Sequence, residues 1–127
     1  MTNDQNANNP NSKRYDLEKR TTEFAKKVIR LCKKLPTTSI NIRIIPQAIS
    51  SSGSTGANYR EANDALGKKD FAFRIRIVRK EAKESIHWLE LLKEANIEIT
   101  ELQGEFDSLI KEAIEYRNIF SSILQKL

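Results

Sequence analysis

Apolar residues recur along most of this chain in alternating steps of three and four, the spacing that puts them on one face of an α-helix. The first run is Leu17, Thr21, Phe24, Val28, Leu31 and Leu35. It predicts a helix over about 16–34, with Asp16 as N-cap, Lys33 and Lys34 in the last turn, and Pro36 as the stop. The most regular run is Leu102, Phe106, Leu109, Ala113, Tyr116, Phe120, Ile123 and Leu127, which predicts a last helix over about 100–126. Between these, Phe71, Ile75, Val78, Ala82, Ser85, Leu89 and Leu92 predict a third over about 69–95. Asp70 lies near its start, and the residues around Asn96 form the turn that follows.

The remaining region contains AISSSGSTGANYREA, Ala48 to Ala62, whose Ser, Thr and Gly content first reads as flexible linker. The same alternation nevertheless runs through it, as Ile42, Ile45, Ile49, Ser52, Gly56, Tyr59, Asn63 and Leu66. A helix over about 45–66 is therefore expected, with small residues that permit close approach to a neighbour. Each Gly in it costs about 1 kcal/mol of helix propensity relative to Ala. Pro46 fits the first turn of that helix, or a kink if the helix starts at Asn41. Gly67 would supply the C-cap and turn, and Gly53 is the expected point of any break. Four such helices on short loops predict an all-α fold, an antiparallel up-down four-helix bundle over residues 15–127. Residues 1–14, rich in Asn and aperiodic, are expected to form a disordered tail.

Composition narrows the chemistry. A length of 127 residues suits one domain with a real core. The single Cys32 excludes an internal disulfide framework and a cysteine-based zinc cluster. With one histidine, His87, a Ser/His/Asp or Cys/His catalytic centre is poorly supported. The N-terminus has no apolar run of the signal-peptide kind and no stretch approaches a membrane span, so a cytoplasmic location is expected.

Two short motifs invite stronger readings that their context does not support. GSTG, Gly53 to Gly56, lacks the Gly-Lys-Ser/Thr and the preceding strand of a phosphate loop, and lacks the sheet around a GxxG RNA clamp. ESIH, Glu84 to His87, has the Glu-x-x-His spacing of di-iron bundles. Such sites need two of these motifs and two further carboxylates, and here Glu84 and His87 fall off the core-facing stripe. A surface histidine beside Trp88 is the expectation. No enzyme activity, metal or cofactor is expected.

The net charge of +5 conceals an asymmetry. From Lys13 to Lys80 there are seventeen Lys and Arg against six Asp and Glu; from Glu81 onward there are five against ten. The split fits a surface for a polyanion, complementary faces that dock between subunits, or solvated helix faces. In KKDFAFRIRIVRK, the residues Lys68, Lys69, Arg74, Arg76, Arg79 and Lys80 crowd about four helical turns, and Lys26, Lys27 and Arg30 add to them from the first helix. These nine are the candidate nucleic-acid-binding residues, able to contact phosphates without reading sequence. Glu81 and Glu84 could instead neutralise part of that face. On the side of the third helix away from Ile75 lie Phe73, Ile77, Trp88 and Leu91. A helix apolar on two faces must cover both, so these four are the candidate oligomer interface; the alternative, which suits Trp88 best, is that they widen the core stripe.

The segments YDLEKRTTEFAKKVIRLCKKLP and SGSTGANYREANDALGKKDFAFRIRIVRKEAKESIHWLELL resemble the four-helix-bundle family of 23S ribosomal RNA intervening-sequence proteins. The likeness is carried by Gly56, Ala57, Asn58, Tyr59, Arg60, Glu61 and Ala62, by Lys69 to Phe71, and by Lys80 to Leu92. The resemblance implies an up-down bundle that assembles as a ring-shaped homopentamer. Some members are encoded within inserts in ribosomal RNA genes. A related branch serves diversity-generating retroelements as an accessory protein, binding nucleic acid and a reverse transcriptase. No catalytic residue carries over. This chain departs from the pattern at Ser50, where relatives often carry Arg, and at Pro46. The expectation is a non-enzymatic homo-oligomer, a pentamer by this likeness, that binds RNA or DNA backbone. The alternative is a structural or protein-interaction module, such as an accessory subunit of a reverse transcriptase or a ribosome-associated factor, with no nucleic acid bound directly.

Overall fold

The alternating apolar spacing is realised as four α-helices in the computed structural model, which describes residues 10–127. They are α1 (Pro10–Lys33), α2 (Ser39–Asn63), α3 (Lys68–Ala95) and α4 (Gln103–Gln125), with a 3-10 turn at Thr100–Leu102 leading into α4. No strand occurs among the described residues. α2 packs against α1 and α3, α3 also packs against α4, and α1 meets α4 more sparsely. α1 and α3 therefore stand on one diagonal of a four-helix bundle, and α2 and α4 on the other. Phe24, Val28 and Leu31 of α1 share the core with Ile75, Val78 and Leu89 of α3 and Phe106, Tyr116 and Phe120 of α4.

The helix boundaries differ from expectation for identifiable reasons. α1 begins at Pro10, before the expected Asp16; a proline suits a first turn because its missing N–H has no intrahelical partner there. Asp16 is thus interior to the helix, and residues 10–14 of the expected tail are helical. The rest of that tail lies outside the described residues. α2 starts at Ser39 rather than near residue 45 because Thr38 caps it, its Oγ1 accepting from the Asn41 N–H at 3.0 Å. Pro46 is consequently inside the helix rather than in its first turn, and the helix runs unbroken through Gly53. It ends at Asn63, short of Leu66, which is 91% exposed. Gly67 turns the chain in the left-handed region, φ +90°, and Asp70 Oδ2 accepts the Leu66 N–H at 3.2 Å as α3 begins.

The core-facing side of α2 also differs from the expected stripe. Asn41, Ala48, Ser51, Ser52, Thr55, Gly56, Tyr59 and Ala62 are buried, whereas Ile42 is 59% exposed and Ile49 also faces outward. The cause is polar pairing. Asn41 and Asn96 exchange two amide hydrogen bonds at 2.9 Å, and their amides also donate to Pro36 O and Leu92 O. Both asparagines are fully buried, and turning α2 to bury Ile42 would strand the Asn96 amide. Further along, the Ser85 hydroxyl meets that of Ser51 at 3.2 Å, so small side chains bring α2 and α3 together.

The GANYREA segment is the other half of this arrangement. A Cβ at Gly56 would lie 2.9 Å from Thr21 Oγ1, so α1 and α2 approach most closely where only glycine fits. Tyr59 is buried against Phe120, and Ala62 is buried one turn on. Arg60 donates to Glu18 Oε1 and Thr22 Oγ1, each at 3.0 Å, and Asn63 donates to Glu18 Oε2 at 2.8 Å. The α1–α4 seam is held differently. Arg20 grips Glu112 with two hydrogen bonds of 2.8 and 2.9 Å, and the Tyr116 hydroxyl donates to Glu112 Oε2 at 2.6 Å. The bond from Arg20 holds the Glu112 carboxyl below its usual range, while burial pushes the Tyr116 phenol well above its own.

Candidate nucleic-acid interface

α3 buries Ile75, Val78, Ala82, Ser85, Leu89 and Leu92, so every position of the expected core stripe from Ile75 onward faces inward. The opposite side is left to solvent. There, at steps of four, three and four, stand Arg76, Lys80, Lys83 and His87. With Arg79 and Glu84 they line an open groove of about 500 Å³ along the helix. Arg76, Arg79, Lys80 and Lys83 form no salt bridge among the described residues. His87 is exposed, as expected, and its ring meets Trp88 in an edge-on arrangement at 4.8 Å.

The nine candidate cations do not form one face. Lys27 and Arg30 line a second groove of about 330 Å³ between α1 and α4, with Lys34, Glu105, Ser108 and Leu109. Lys34 is already paired there, to Glu105 at 2.7 Å. Lys26 belongs to a smaller hollow near Arg60 and pairs with Glu23 at 3.2 Å. Arg74 is partly buried and pairs with Asp70 at 3.6 Å, while Lys68 and Lys69 are exposed at the start of α3. Because α1 and α3 are diagonal, α4 stands between the two cationic rows, and Asp107 and Glu115 are exposed on it. Of the nine, only Arg76, Arg79 and Lys80 come together in the larger groove.

Lys83, Glu84 and His87 complete that groove without having been among the candidate binding residues. Their signal was present in the helical spacing from Arg76 and Lys80. Among the described residues, no three His, Cys, Asp or Glu side chains gather as metal ligands. No described helix is long and apolar enough to cross a membrane. Glu81, midway along α3, has its carboxyl held above the usual carboxylate range by burial, with the Lys80 charge opposing the shift.

The four candidate interface residues divide. Phe73 is 58% exposed and Leu91 39%, although both are large and apolar. Ile77 is half-buried on the same outward side. Trp88 is half-buried and packs against the core, where it widens the stripe.

Over residues 13–122 the chain matches the family described as 23S rRNA-intervening sequence protein. A crystal structure of a protein of unknown function from the S23 ribosomal protein family of Bacteroides thetaiotaomicron VPI-5482 is similar to it. The TM-score is 0.71 at 30% sequence identity, covering 85% of this chain and 97% of that one. No curated protein matches this chain.

Proposed function

This chain belongs to the 23S rRNA-intervening sequence protein family, and from that premise we propose that it is a non-enzymatic, self-associating bundle that binds the phosphate backbone of RNA or DNA through α3. The observation that carries the reading is the cluster of four cations in the α3 groove, none of which forms a salt bridge among the described residues, against the single carboxylate of Glu84. Four cations against one carboxylate hold a positive potential over one helix face, and a polyanion releases counterions on meeting it. Lys68 and Lys69 extend the field to the start of the helix. The α1 cations contribute less, because Lys26 is engaged by Glu23 and the groove of Lys27 and Arg30 also holds Glu105, paired with Lys34.

Self-association is supported by Phe73 and Leu91, which expose apolar surface on one line of α3 beside the cationic row. The family likeness points to five subunits. A ring would repeat a modest cationic row once per subunit and raise avidity without new contacts.

Filter binding with structured RNA and with duplex DNA at low and high salt tests the binding. We expect retention at low salt that falls steeply as salt rises. Changing Arg76, Arg79, Lys80 and Lys83 together to Gln should abolish it for all sequences alike. If wild-type protein retains neither nucleic acid at low salt, the interaction-module reading replaces this one. Light scattering tests assembly: Phe73→Asp should give smaller particles than wild type, and a monomeric wild type removes the claim.

A further inference from the structure

We infer that the α3 groove takes single-stranded nucleic acid, with a base stacked on His87 and the amino edge of that base bonded to Glu84. The inference rests on the backbone-binding reading above and specifies its substrate. Arg76, Lys80, Lys83 and His87 lie in a single file, about 16 Å from end to end at the helical rise. That file is one helix wide, enough to follow one strand. A duplex offers its phosphates as two rows on either side of a groove, with the base faces hidden inside the stack.

Two features of the groove have no use for a duplex backbone. The first is His87, an exposed ring at the end of the cationic file, with Trp88 set edge-on against it at 4.8 Å. Trp88 packs against the core, so the imidazole is backed by a side chain that is itself anchored. Exposed aromatic rings beside a basic track are how single strands are held, because an unpaired base has a free face to stack. The second is Glu84, a carboxylate within the same cationic groove. Against a continuous phosphate track it would repel. Beside a splayed base it accepts hydrogen bonds from an exocyclic amino group, as carboxylates do from cytosine N4. Thymine and uracil have no such group. The groove should therefore prefer cytosine, adenine or guanine over thymine or uracil at the base that reaches His87.

Trp88 is the chain's one tryptophan, so its fluorescence reports the site directly. The test is titration of wild-type protein with oligo(dC), oligo(dT) and a duplex of equal length at one low salt concentration. Expected are quenching by single strands, tighter binding of oligo(dC) than oligo(dT), and weaker binding of the duplex. His87→Ala should cost about ten- to a hundredfold with oligo(dC), the range for losing one stacked base, and leave the duplex unchanged. Glu84→Gln should strengthen oligo(dT) binding by removing a negative charge and shrink the preference for oligo(dC). Equal or tighter duplex binding, or a His87→Ala variant that binds oligo(dC) like wild type, overturns the inference. If those results appear while the fourfold Gln variant still loses all binding, the backbone reading survives and only this specification fails. If no nucleic acid binds wild type, both fall.

Discussion

The closest approach of α1 to α2 makes a prediction in which one substitution has opposite signs at two glycines of the same helix. At Gly56 an added Cβ would stand 2.9 Å from Thr21 Oγ1 and 3.3 Å from Thr21 Cβ. Thr21 cannot swing away easily, because it is fully buried and its hydroxyl donates to Leu17 O at 2.8 Å. At Gly53 an added Cβ meets nothing within 4 Å. Alanine improves helix propensity by about 1 kcal/mol at both sites. Gly53→Ala should therefore stabilise the protein by roughly that amount. Gly56→Ala gains the same term and loses about 1–3 kcal/mol to overpacking, for a net loss of up to about 2 kcal/mol. Propensity cancels in the comparison, so the gap between the variants is the steric cost alone. Urea unfolding followed by helical circular dichroism measures it, at one protomer concentration because self-association would shift apparent stability. Thr21→Ala removes the clashing oxygen, so the double variant Thr21→Ala, Gly56→Ala should be more stable than the two single losses summed. Equal stability of Gly53→Ala and Gly56→Ala would refute the close-approach argument.

The α1–α4 seam should be sensitive to pH at both ends. Glu112 has a lowered folded value, so the stability it contributes is complete above the ordinary 4.5 and is lost as pH falls below it. Glu112→Gln should thus trail wild type near neutrality by a margin that narrows in acid, and a margin constant with pH would contradict this. The raised Tyr116 phenol works in the other direction, and stability should fall as pH climbs past its ordinary 10. Asn96→Ala leaves the Asn41 carbonyl without its amide partner in a buried site, for about 1–3 kcal/mol in the same urea assay, while replacing both asparagines by leucine should cost less than the two single changes together. Cys32 is buried, with its thiol pushed up to about 11, so a thiol reagent at about pH 8 should label it only after unfolding.

What could be read from the sequence follows from how far each determinant reaches along the chain. The stripes of α3 and α4 were legible because apolar residues repeat there over about four to five turns, with Ser85 the one small polar residue among the buried positions of α3. α2 was legible as a helix but not in its rotation. Its buried side is fixed by Asn41 meeting Asn96, 55 residues away, and no local pattern contains that distance. Thr38 decided how Pro46 would be placed, since a cap eight residues upstream puts the proline inside the helix rather than in its first turn. The close approach at GANYREA was legible, because a small residue in a helical seam has few other uses. For the cationic surface, the residues could be counted but their neighbours could not. Whether basic charges on two helices make one face depends on whether those helices are adjacent, and α1 and α3 are diagonal.

That diagonal placement gives self-association a specific bearing on binding. Within one subunit the α1 row stands apart from the α3 row, because α4 lies between them. An isolated subunit would then engage phosphates with the four groove cations and at most Lys68 and Lys69 beyond them, giving a salt slope of about −3 to −5 at roughly 0.7–0.9 per phosphate. Helical geometry sets Phe73 and Leu91 on the line immediately beside that row, so subunits joined through them would carry their cationic rows at the edge of each contact. The slope for long nucleic acid should then exceed the single-subunit value by the number of rows it can span. Phe73→Asp removes no cation, yet it should bring the slope back toward the single-subunit value if the two proposals describe one assembly. A slope that Phe73→Asp leaves steep would mean that the apolar line and the cationic row serve separate purposes.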